Sequence, residues 1–156
     1  MRPIARLCLA CLCGAFAVAS AATPCGTGDE ARMRLVGSHR LTLQWIGWGN
    51  LADAGRVTVS DRGGNLSLAG EQTGHGDNAG DYVRIDGRIV ATTASGFTFE
   101  GDIVTRVSHI AGGAECRRHG TFHFATTLGR KYWRLQEMDN PCDNATDYVD
   151  IYFRGI

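Results

Sequence analysis

Tyr82 to His109, YVRIDGRIVATTASGFTFEGDIVTRVSH, is the stretch whose reading decides the fold. Val83, Ile85, Ile89 and Ala91 alternate with Arg84, Asp86 and Arg88. After Ala94-Ser95-Gly96 the alternation resumes, with Phe97, Phe99, Ile103 and Val107 against Thr98, Glu100, Asp102 and Arg106. A period of two held this long predicts a half-buried antiparallel strand pair. A short loop ending in Gly fits a type I turn closed by a left-handed bulge residue. That turn pairs Thr93 with Phe97, Ala91 with Phe99 and Ile89 with Gly101. It also sets Gly87 opposite Ile103, Val83 opposite Val107 and Arg88 opposite Asp102. Glycines at inward positions mark sharp bends, so the sheet is expected to curl toward closure. A slip of one residue would turn Phe97, Phe99 and Ile103 into water, which makes the register specific.

Similar short alternations flank this hairpin. Leu41, Leu43 and Trp45 predict a strand over Arg40–Trp45. Val57 and Val59, then Leu66 and Leu68, predict strands over Arg56–Asp61 and Asn65–Gly70, joined by a Gly63-Gly64 turn. Gln72–Gly80 is polar and Gly-rich and reads as a loop. Later strands are expected over Cys116–Thr126 (Phe122, Phe124), Arg130–Met138 (Trp133, Leu135) and Tyr148–Arg154 (Val149, Ile151, Phe153). Glu30–Val36 is open to a short helix or a lead-in strand, and no other segment after the first residues reads as helix. Eight short-linked antiparallel strands must close into a barrel or pack as a sandwich to remove their edges. The all-β reading is therefore a single eight-stranded up-and-down barrel, with a β-sandwich as the alternative.

The first residues read as an export signal. Met1 to Arg6 is basic, Leu7 to Val18 is apolar, and Ala19-Ser20-Ala21 resembles a cleavage site. The apolar run is too short to span a bilayer as a helix. Residues 1–22 are expected to be removed, leaving one domain over 23–156 in the bacterial periplasm or outside the cell. Lipidation at Cys11 is the competing reading. Of six cysteines, Cys25, Cys116 and Cys142 remain after cleavage. Loss of Arg2 and Arg6 leaves 14 basic residues (16 − 2) against 16 acidic ones, a formal charge of −2. No basic excess points to nucleic acid or an anionic membrane.

The barrel pattern resembles the calycin group, lipocalins and avidins, across the mature chain. It also resembles small bacterial periplasmic enzyme inhibitors with eight strands and one disulfide. Arg130 to Met138 with Asp139-Asn140-Pro141-Cys142 looks like exported bacterial proteins without assigned activity. The resemblance implies the architecture and carries over no ligand residue.

In a meander, loops alternate between the two ends. Gly63-Gly64, Ala94–Gly96 and Leu128-Gly129 make one end short. The loops Gly47–Gly55, Gln72–Gly80, Ile110–Ala114 and Asp139–Thr146 make the other long. Longer loops on a rigid scaffold tend to carry sites. The same topology brings together Cys116 and Cys142, 26 positions apart, and predicts a disulfide between them.

Several constellations invite chemistry. His109, Cys116, His119 and His123 have soft ligands, but strand parity splits them between two faces, and no metal is expected. Asp139, Asn140, Asp143, Asn144 and Asp147 offer hard oxygens, yet they are also ordinary turn residues. Asp81 falls opposite His109 in the expected register, a carboxylate–imidazole pair that would suit a hydrolase. Ser108 is expected on the other face, so no nucleophile accompanies the pair. Trp48, beside a long loop, suits contact with a ligand or partner. Trp48, His75, Asp77, Asp139 and Asp143 are the binding candidates. The expected function is a non-enzymatic exported binding module that needs no cofactor and contacts a protein through the long-loop end. A small apolar ligand carrier, or a hydrolase using Asp81 and His109, is the alternative. No nucleic acid and no membrane span are expected.

Overall fold

A computed structural model describes residues 27–47 and 51–156. The expected signal, Cys25 and Trp48 lie outside the described residues. Eight antiparallel strands close into an up-and-down barrel in the order β1 to β8. They are β1 (Gly37–Leu43), β2 (Gly55–Arg62), β3 (Asn65–Thr73), β4 (Tyr82–Thr92), β5 (Gly96–Arg106), β6 (Glu115–Ala125), β7 (Tyr132–Leu135) and β8 (Val149–Tyr152). Each neighbouring pair in sequence is also a neighbouring pair in the sheet, so the meander holds and the sandwich does not.

The central hairpin forms with a different register. Ile89 pairs with Phe99, Gly87 with Gly101, Ile85 with Ile103 and Val83 with Thr105. This is two residues away from the expected pairing. A bulge between Ile89 and Ala91 then brings Thr92 opposite Phe97. A two-residue shift keeps every side chain on its face, which is why hydrophobic alternation alone did not distinguish the registers. The bulge reverses parity beyond Ile89, so Val90 and Ala91 are both exposed rather than Ala91 buried. Arg88 accordingly pairs with Glu100 at 2.7 Å, not with Asp102, which meets His119 and Arg117 instead.

The interior is filled. Leu41, Val57, Leu68, Phe99, Ile103, Leu135 and Val149 are completely buried, and side chains from all eight strands share one core. Phe97 stacks on Phe124 at 5.0 Å, and Trp133 meets Phe97 edge-on at 5.8 Å. Such aromatic contacts add to the burial energy of the rings.

Closure is thin on one side. β6–β7 is held by two register pairs, and β7–β8 and β8–β1 by three each. β7 and β8 are shorter than their sequence patterns suggested. Arg134 and Asp150 sit directly across this part of the wall and form a bidentate pair, both bonds 2.7 Å.

The short-loop end is covered by a helix, α1 (Thr27–Leu35), so the choice left open at Glu30–Val36 falls to helix over lead-in strand. Its acidic residues Asp29 and Glu30 lie in the first turn and Arg32 and Arg34 in the last, matching the helix dipole. Ala31 and Leu35, four apart, are buried and form its inner face. Arg32 pairs with Asp61, and the Arg34 guanidinium lies 4.7 Å from the Phe153 ring centre. His39 ties the helix to the barrel seam: its ring nitrogens meet the carbonyls of Leu35 at 2.6 Å and Tyr152 at 2.9 Å.

Candidate functional site

Because β1 starts at the helix-covered end, the longer connections gather at the opposite end. They contain a short helix, α2 (Gln44–Gly47), and three single turns over Leu51–Asp53, Gly76–Asn78 and Ala111–Gly113. Trp45 belongs to α2 and not to the strand before it, which stops at Leu43. β3 runs on to Thr73, so Gln72 is a strand residue and is fully buried. The loop expected over Gln72–Gly80 is correspondingly shorter.

A buried polar network supports this end from below. Gln72 accepts a hydrogen bond from the Leu43 amide at 2.7 Å and donates one to the Asp53 carbonyl at 3.0 Å. These bonds fix the start of the β1–β2 connection. Asn78 donates to the Ile46 carbonyl at 2.9 Å, tying the β3–β4 loop to α2. Satisfied buried amides of this kind hold backbone that no ladder supports.

The β7–β8 loop is anchored at its centre. Cys116 and Cys142 form a disulfide, as the meander predicted, with an S–S distance of 2.03 Å. Asn140 is buried beside it, accepting from the Cys142 amide at 2.9 Å and donating to Asp147 at 3.0 Å. The other Asp147 oxygen accepts from the Trp45 indole at 3.1 Å. Burial pushes the Asp147 carboxyl above its ordinary value, against the Trp45 bond and the nearby Arg118 charge. Arg118 points inward from β6 and donates to the Glu137 carbonyl at 2.8 Å. Its Nη2 stands 3.6 Å from Asp147, an ion pair without a hydrogen bond. Burial lowers the Arg118 pKa for the same reason that it raises that of Asp147.

The Asp81–His109 pair does not form. Continuing the observed register one step beyond Tyr82↔Arg106 puts Asp81 across from Val107. The Asp81 carboxylate instead accepts from the Ser108 amide at 2.8 Å and hydroxyl at 3.2 Å. Ser108 is therefore on the Asp81 side, contrary to its expected face. His109 is exposed and meets the Trp45 ring edge-on at 6.1 Å. The shifted register removes the geometric basis of the hydrolase alternative.

Among the binding candidates, His75, Asp77 and Asp139 are exposed at the long-loop end. Asp143 is half-buried and accepts from the Ala145 amide at 2.7 Å, so its carboxylate serves its own turn. His119 and His123 are exposed on the outer wall, each beside a carboxylate, Asp102 and Glu137 respectively. Among the described residues, no three His, Cys, Asp or Glu side chains come together as metal ligands. No described helix is long and apolar enough to cross a membrane.

Gln72, Arg118, Asn140 and Asp147 were not singled out as inward anchors by sequence reading. A signal existed for three of them. Gln72 continues the even positions of Leu66 and Leu68, Arg118 those of Phe122 and Phe124, and Asp147 the odd positions of Val149 and Ile151. Parity extended to polar residues would have turned all three inward.

Comparison with known proteins agrees in extent with this domain. The PM1083 family profile matches residues 23–153. A protein of Pasteurella multocida (strain Pm70), described as "Uncharacterized protein PM1083", is 44% identical over 120 residues, covering 77% of this chain and 74% of its own. No solved structure matches the chain. Neither match names a lipocalin, an avidin or an inhibitor. The chain belongs to the PM1083 family.

Proposed function

We propose that this chain is an exported, non-enzymatic binding module that contacts a protein partner through the long-loop end of its barrel. The observation that carries the reading is the contrast between a filled interior and a firmly held rim. Phe97, Phe99, Phe122, Phe124 and Trp133 occupy the space that a carrier would keep for its ligand. Cavities of about 810 and 410 Å³ open on the outer surface of the wall. The rim is held by the disulfide, Gln72, Asn78, Asn140 and Asp147. Preorganised loops lose little freedom on docking, which favours recognition of a partner. Trp48, His75, Asp77 and Asp139 are the contact candidates there. Asp143 contributes by shaping its loop. The disulfide accords with an oxidising compartment, hence with export to the periplasm or beyond.

Affinity capture from periplasmic extract tests the reading, comparing the wild-type domain with Trp48→Ala/Asp77→Ala. The expected result is a protein retained by the wild type and lost with the double variant, with thermal unfolding unchanged. Equal retention by both would move the contact surface away from this end.

A further inference from the structure

A second surface lies on the wall, where the barrel closes. β1 pairs with β2 along Gly37–Leu41, but with β8 only along Leu41–Leu43. Beside residues 37–40 the ladder to β8 gives way to a gap bridged by side chains, with His39 on the Tyr152 carbonyl and the Arg154 side chain lying over Gly37. Beyond Tyr152 the chain leaves this ladder, and the Phe153 amide donates to Lys131 on the β7 side. The gap opens into a groove of about 810 Å³, walled by Arg40, Arg56 and Arg154, with Leu51, Phe153 and Ile156 among its apolar parts.

The side chains of this groove are one-sided in charge, with guanidinium groups and no Asp or Glu among its lining residues. Arg40 donates to the Leu51 carbonyl, Arg56 to the Ser38 hydroxyl and Arg154 to the Met33 carbonyl. None of the three forms an ion pair with an acidic residue among the described residues. Arg32, Arg84, Arg88, Arg117, Arg118 and Arg134 do, while Arg34, Arg62, Arg106 and Arg130 elsewhere on the barrel likewise form none among the described residues. Arg40 and Arg56 are also direct cross-strand partners. Like charges opposite one another destabilise a sheet unless something else neutralises them.

We propose that this seam groove docks an acidic segment of a partner protein, whose carboxylates meet Arg40 and Arg56. Acidic motifs are recognised by clustered arginines, whose guanidinium groups bind carboxylates through paired hydrogen bonds. Here Arg40 and Arg56, side by side across the β1–β2 ladder, would take the carboxylates. Leu51 and Ile156 would receive the apolar residues between them. The surface is separate from the long-loop end and stands independently of the role assigned there.

Fluorescence anisotropy with a fluorescein-labelled (Glu-Val)4 peptide tests the proposal on the signal-free domain, with (Lys-Val)4 as control. The expected result is binding of the acidic peptide alone, weakening as salt is raised. Arg40→Glu/Arg56→Glu should weaken it at least tenfold, and the milder Arg40→Gln/Arg56→Gln should do so in part. Circular dichroism checks that both variants fold. Absence of binding, or equal affinity for wild type and variants, would overturn the proposal. So would tighter binding of a single-stranded oligonucleotide lost in the same variants, which would make the groove a general polyanion site. A dimer in sedimentation that the same substitutions dissolve would assign it to a second copy of this chain, again against the proposal.

Discussion

Gly87 lies directly across the ladder from Gly101, so close that a Cβ added to either would stand 2.7 Å from the other's Cα. The same Cβ atoms would come within 2.2 Å of the Glu100 carbonyl oxygen and 2.3 Å of the Asp86 carbonyl oxygen, respectively. These neighbours are backbone and cannot swing aside. The two glycines let β4 and β5 fold sharply together and start the curvature that closes the barrel. Gly87→Ala or Gly101→Ala is expected to destabilise the domain by about 2–4 kcal/mol, the upper range for overpacking. Gly28→Ala, in the first turn of α1 with nothing within 4 Å, should be neutral to stabilising by up to about 1 kcal/mol in urea denaturation.

This glycine pair also shows what sequence could and could not tell. Alternation places Gly87 and Gly101 on the inner face, and the bend followed from that. It does not say which residue of the neighbouring strand each faces, because registers two apart bury the same side chains. The decision falls to the bulge at Val90, whose positive contribution is local backbone geometry that no periodicity encodes. The Cys116–Cys142 bond was legible because it needs only the correct end of the barrel and tolerates such a shift. Asp81 and His109 required the register itself, and that reading failed with it. Helix α1 stays undecided between helix and lead-in strand in the sequence because nine residues with two buried positions give a weak helical period.

The disulfide closes a long loop that contains β7, the shortest part of the wall together with β8. Cross-linking there restricts the unfolded chain and is expected to contribute about 2–4 kcal/mol on the loop-entropy account. Cys116→Ala/Cys142→Ala should lower the urea midpoint accordingly, and wild type under reducing agent should follow it. Retention of the full wild-type midpoint by the double variant would show that Asn140 and Asp147 hold the loop unaided.

Closure between β7 and β8 is expected to depend on Arg134 and Asp150. Their side chains are mostly buried, with the Arg134 guanidinium 4.2 Å from the Tyr148 ring centre. The hydrogen bonds that Arg134 donates to Asp150 raise the Arg134 pKa further, so the cation is permanent. Breaking such a pair from one side leaves a charge without its partner, at a cost of about 3 kcal/mol. Asp150→Ala should therefore be clearly more destabilising than Glu100→Ala, which removes the exposed Arg88 pair and is worth under about 1 kcal/mol. Thermal unfolding of the two variants at equal salt decides the order.

Asp147 gives the domain a pH dependence of unusual sign for a carboxylate. Burial raises its folded-state pKa above the ordinary 3.8, outweighing the Trp45 and Asn140 hydrogen bonds and the Arg118 charge. The folded protein then holds that proton more tightly than the unfolded chain does. The stabilising contribution is full below 3.8 and is lost as pH rises through the raised folded value. Asp147→Asn keeps the shape and an acceptor for the Trp45 indole but cannot titrate. Wild type should therefore gain stability relative to Asp147→Asn as pH is lowered from 7 toward 4, measured by urea denaturation at each pH. A gap that shrinks toward acid would mean that Arg118, despite its 3.6 Å separation, holds the carboxylate ionised more strongly than burial opposes it.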